Sequence, residues 1–152
     1  MGSGAEMEMS LMDLLRASVD PLIFGTLGLM SVLMLAAVFE RLWFYRRLRL
    51  DDYQSERVLS VALTDRLALI YTIGSSAPYV GLLGTVVGIL ITFYDIGQGG
   101  DMAVSDIMIG LALALKATAA GLLVAIPAVM ANNALVRRVE VLTALWHDGR
   151  VP

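Results

Sequence analysis

Three long apolar stretches constrain this chain more than any other feature. A helix crossing a hydrocarbon layer needs roughly 20 apolar residues at about 1.5 Å each. Residues 21–45, 77–96 and 107–136 each supply such a run. With 58% hydrophobic residues in 152, a water-soluble domain of this size has too little interior to hide the apolar surface. The expected fold class is therefore an all-α membrane protein with three transmembrane helices, extended into the cytoplasm. The net charge of -3 gives no reason to expect a nucleic-acid partner. The absence of cysteine removes thiol and disulfide chemistry, and a lone His147 cannot build a metal site.

Charge orients the spans. Arg46, Arg47 and Arg49 follow the first span, with Arg57 and Arg66 further along the same connection, and Arg137 and Arg138 follow the third. The opposite side carries Glu6, Glu8, Asp13, Asp20, Asp95, Asp101 and Asp106, with Arg16 as its one basic residue. This asymmetry places the N-terminus outside and the arginine anchors in the cytoplasm. Residues 1–6 read as a cloning remnant, and 7–20 as an amphipathic helix lying on the outer interface. Asp20 followed by Pro21 reads as the start of the first transmembrane helix. Residues 46–76 read as a short cytoplasmic helical region, 97–106 as an outer loop holding the "GQGGD" turn, and 137–152 as a cytoplasmic tail with Trp146 and His147 at its surface.

Span two carries Gly81, Thr85, Gly88 and Thr92 on one stripe, with Gly84 beside it. Span three carries Gly110, Ala114, Thr118, Gly121 and Ala125 on another. Lipid tails are as apolar as leucine, so membrane helices associate through close backbone contact, which small residues permit. The glycines are equally compatible with packing inside one subunit. Thr85 and Thr118, at similar depths, could line a polar interior or bond their own backbone.

Lys116, the one lysine of the chain, lies nine residues past Ile107. At 1.5 Å per residue that is roughly 14 Å into the layer, near its midplane. Insertion of a central lysine costs about 2.5–3.5 kcal/mol, and the charge then needs an acceptor. Glu40 sits beside Arg41 at the cytoplasmic end of span one, and Asp95 and Asp106 lie near the outer surface. The partner of Lys116 is accordingly expected from another chain or a water-filled interior, with backbone carbonyls as the alternative. A Ser/His/Asp set and a phosphate loop are both lacking, so neither enzymatic activity nor a cofactor is expected.

"APYVGLLGTVVGI" at 77–89 and "KATAAGLLVAIPAV" at 116–129 resemble the ExbB/TolQ/MotA group of motors driven by the proton motive force. The wording and the three-span layout are most similar to the ExbB branch. The resemblance implies a homopentameric ring in the bacterial inner membrane around the single-span helices of an ExbD-like partner. That ring would pass protons and deliver work through a TonB-like protein to outer-membrane transporters. The TolQ role and a non-conducting scaffold are the alternatives. The family's pore threonines fall on Thr85 and Thr118, and its helix-bending proline on Pro127. Many members carry a glutamate five positions before the span-three threonine, where this chain has Leu113. The proton carrier would then be the partner's intramembrane aspartate, and Lys116 a contact to a partner or a neighbouring subunit.

Overall fold

A computed structural model describes residues 3–97 and 104–149, and all elements in it are helical. Helix α1 spans Ser3–Arg47, α2 spans Glu56–Thr64, α3 spans Leu67–Gly97 and α4 spans Val104–Asp148, with a 3-10 turn at Leu50–Asp52 between α1 and α2. Among the described residues, three segments are long and apolar enough to cross a membrane, and they fall on α1, on α2 with α3, and on α4. The chain is a multi-pass helical membrane protein.

One element boundary differs from the sequence expectation. The helix start expected at Asp20–Pro21 is not a break, because α1 runs through it with Pro21 inside. A proline there removes one backbone donor, but the ladder continues on either side and packing of the flanking turns holds the helix. Helix α4 runs unbroken past residue 136 to Asp148, with Pro127 inside it. Most of the expected outer loop, residues 98–103, lies outside the described residues.

The chain packs as two units, each made of segments distant in sequence. The first combines Met1–Leu29 with Ala77–Val124. Its interior is lined by Ile23 and Leu27 of α1, Ala77, Thr85 and Thr92 of α3, and Ala114 and Ala117 of α4. The side chains that α3 and α4 contribute are small because helix backbones that approach closely leave little room between them.

The second unit combines Met30–Ser76 with Ala125–Pro152. Here Leu59 and Leu63 of α2 are fully buried against Trp146, with Phe44, Tyr45, Leu48 and Leu142 around them. Trp146, expected at the surface, is instead buried, and its indole N–H donates to the Tyr53 carbonyl at 3.0 Å. An amphipathic α2 needs an apolar cover, and the last turns of α4 provide it.

The C-terminal end of α2 is capped from α1. A helix leaves its last carbonyls without intrahelical donors. Tyr45 donates its hydroxyl to Leu63 O at 2.6 Å, and Arg41 Nη1 donates to Ala62 O at 3.0 Å. Arg41 is only 5% exposed, and its Nη2 lies 3.0 Å from Glu40 Oε1 and 3.5 Å from Asp65 Oδ2. Its guanidinium also stacks 4.8 Å from the Phe44 ring centre. Arg66, in the left-handed region at φ 64°, turns the chain from α2 into α3. Its N–H donates to Asp65 Oδ1 at 3.0 Å and its Nε lies 3.7 Å from Glu40 Oε2.

Removing one member of a buried ion pair leaves the others uncompensated, at up to 3–5 kcal/mol when all are buried. The carboxylates here are half-exposed, so Arg41→Ala should cost on the order of 2 kcal/mol, read by thermal unfolding in detergent. Arg41→Lys should recover little of it, because one ammonium lacks the fork that serves a carbonyl and two carboxylates together.

Candidate functional site

The site is built in the first unit, where α3 and α4 run antiparallel with their small-residue stripes face to face. Thr92 meets Gly110, Gly88 meets Ala114, and Gly81 meets Thr118 and Gly121. A Cβ placed on Gly81 would stand 2.6 Å from the Ala117 carbonyl oxygen, and one on Gly121 would stand 2.7 Å from that of Ala77. Both obstacles are backbone, which cannot swing aside. Gly84 serves a different neighbour as well: its Cβ would meet Ala117 Cβ at 2.7 Å and Ile23 Cγ2 of α1 at 3.0 Å. Gly84 is thus the point where all three helices of this unit come together. Gly25 and Gly28 of α1, by contrast, have nothing within 4 Å of the same position.

This close approach brings Thr85 and Thr118 into direct contact. Their hydroxyl oxygens are 2.5 Å apart, and Thr85 Oγ1 also lies 3.2 Å from Ala114 O and 3.3 Å from Gly81 O. Each hydroxyl has one proton to give. When Thr118 donates to Thr85, Thr85 donates onward to a helix carbonyl, and Thr118 keeps both lone pairs for a further donor. When Thr118 turns its proton elsewhere, Thr85 can still bond its own helix. Thr85 is buried and Thr118 half-buried, so the open side of this pair is the Thr118 side. Such interhelical bonds average only about 0.6 kcal/mol in membranes. Packing around the glycines, not this bond, therefore holds α3 to α4.

The same unit holds a cleft of about 330 Å³ lined by Asp20, Gly84, Gly88, Thr92, Asp95 and Leu113, among others. Thr92 returns its hydroxyl to Gly88 O at 3.0 Å. Leu113 is 55% exposed on the wall of this cleft, an apolar side chain at the position where the sequence resemblance implies a glutamate.

Lys116 lies on the exposed side of α4, away from Thr118, with Nζ 5.0 Å from the centre of the Phe24 ring. A cation over an aromatic face is worth about 2 kcal/mol when desolvated. That offsets part of the insertion cost of a central lysine. No carboxylate lies within ion-pair distance of Lys116 among the described residues.

Arg46, Arg47, Arg49, Arg137 and Arg138 are all exposed, with Arg47 stacked 4.4 Å from the Trp43 ring and Arg137 paired to Glu140 at 2.8 Å. The structure leaves Pro127 exposed on α4. Among the described residues no group of His, Cys, Asp or Glu could hold a metal ion. Phe24 and the cleft-lining Asp20 were not legible as site residues, since nothing in the sequence says which face of α1 meets α4.

Taken together, the spans and the glycine-set hydroxyl pair define a polytopic helical membrane protein in which threonines make a polar contact between α3 and α4. Residues 36–148 match the MotA/TolQ/ExbB proton channel family, and the chain belongs to it. It is 52% identical over 132 residues to a Helicobacter pylori biopolymer transport protein described as ExbB-like 2, covering 87% of this chain and 88% of that one. It is 48% identical over 136 residues to the biopolymer transport protein ExbB of Aquifex aeolicus, covering 90% and 92%. To the Tol-Pal system protein TolQ of Pseudomonas aeruginosa it is 42% identical over 81 residues, covering 53% and 35%.

The glycine contacts yield a graded expectation. Gly81→Ala and Gly121→Ala should each destabilise the protein by about 1–3 kcal/mol, since a backbone must move to admit the methyl group. Gly25→Ala and Gly28→Ala should leave it unchanged or slightly more stable. Thermal unfolding of the four variants in one detergent measures the difference.

Proposed function

We propose that the chain is an ExbB-like, non-enzymatic subunit of a proton channel in the bacterial inner membrane. In this reading its N-terminus faces outward, and five copies form a ring around single-span helices of an ExbD-like partner. The assembly uses the proton motive force to energise transport across the outer membrane through a TonB-like protein. The observation that carries the proposal is the Thr85–Thr118 contact, which leaves an open hydroxyl on the Thr118 side within the residues that match the family. Similarity to ExbB-named relatives over about nine-tenths of both chains supports ExbB over TolQ, where the similarity spans about half of this chain.

The chemistry follows from what a hydroxyl can do. A threonine does not titrate near neutral pH, so Thr85 and Thr118 cannot carry net charge themselves. They can follow a carboxyl group that does. Thr118 donates to the partner's aspartate while that is ionised, and accepts from it once it is protonated, turning its own proton back to Thr85. Each state of the carboxyl thus finds a matched hydrogen bond, which lowers the cost of changing between them. One proton falling through 100 mV releases about 2.3 kcal/mol. That is comparable to the 1–3 kcal/mol that typically couples two states of a protein.

Thr118→Val keeps volume and removes the hydroxyl. With the partner co-expressed, it should assemble as the parent does and lose most energised uptake, while Thr118→Ser retains a substantial part. Full uptake by the valine variant would overturn the channel reading and favour a scaffold. A pull-down that recovers a TolA-like chain in place of a TonB-like one would move the assignment to the Tol system.

A further inference from the structure

We infer that Asp20 is the carboxylate that balances Lys116, so that the charge is neutralised within one chain by a pair linking α1 to α4. Lys116 Nζ already lies against α1, 5.0 Å from the centre of the Phe24 ring. Asp20 is four residues before Phe24, one turn along the same face of α1. The two helices run parallel here, since Ile23 and Ala117 meet over Gly84 while Asp20 and Leu113 line the cleft one turn nearer their N-terminal ends. Long side chains on a helix lean back toward its N-terminus. Lys116 therefore reaches over the turn that holds Leu113, which is the level of Asp20.

The other acidic wall of the cleft is too far along. Asp95 is nearly one turn beyond Thr92 on α3, and Thr92 meets Gly110. That level lies about 14 Å from Lys116 along α4. Asp20 lines the cleft and has no hydrogen bond or ion pair among the described residues. The pair fastens α1 to α4 at the edge of the cleft. It also places a carboxylate beside Leu113, although on a different helix.

The inference stands apart from the channel reading, and its test needs no transport. Lys116 is the only lysine, so its amine is the one side-chain amine that a carbodiimide can couple in the unaltered protein. The reagent activates the carboxyl as an O-acylisourea, the lysine nitrogen attacks the carbonyl carbon, and a urea leaves with the elements of one water. A membrane-permeant carbodiimide applied to the full chain in liposomes should give an Asp20–Lys116 amide at monomer mass, mapped by fragment mass spectrometry. The product should be absent from Asp20→Asn. An amide to Asp95, or one joining two chains, would overturn the inference. A double-mutant cycle checks it without the reagent. Asp20→Asn with Lys116→Met should melt no lower than either single variant, because removing both charges leaves neither uncompensated. Additive losses would contradict the pairing.

Discussion

The approach of α3 to α4 at Gly81 and Gly121 governs the rest of the site. Lipid supplies no hydrophobic drive for one helix to leave it for another, so contact has to be made by backbones within van der Waals reach. Two glycines facing two carbonyls across the interface permit it, and no other residue fits. Once the backbones are that close, Thr85 and Thr118 need no special arrangement to meet. Their contact is a consequence of the packing, and its low energy frees it to be made and broken.

The second unit is held differently. There α2 leaves the apolar spans and brings backbone carbonyls with it, and α1 answers with Arg41 and Tyr45. Leu59, Leu63 and Trp146 then form a compact apolar core of the sort found in soluble helical proteins. Along the spans, by contrast, Leu82, Leu83, Val86, Leu90 and Phe93 of α3 and Leu122, Leu123 and Ile126 of α4 remain exposed. In a membrane such surfaces are covered by lipid or by further helices.

Much of this was legible from residue spacing. The facing stripes on α3 and α4 follow from small residues at helical intervals, and the number of spans follows from length and hydropathy. The sequence does not reveal which residues of α1 meet α4, because a helix that is apolar all round has no marked face. The places of Phe24 and Asp20 are illegible for that reason. The burial of Arg41, by contrast, is legible, because it continues the buried series Met34, Ala37, Arg41 at helical spacing. The start assigned to Asp20–Pro21 rested on local rules for proline and caps, which flanking turns overrode.

The central claim is that several copies enclose a space in the bilayer which a second protein's acidic helix enters beside Thr118. The native mass of the detergent-extracted complex, taken with and without a co-expressed single-span partner, tests it most directly. The account predicts a five-copy assembly that gains mass by whole copies of the partner. A lone monomer, or a ring of unchanged mass when the partner is present, would contradict it.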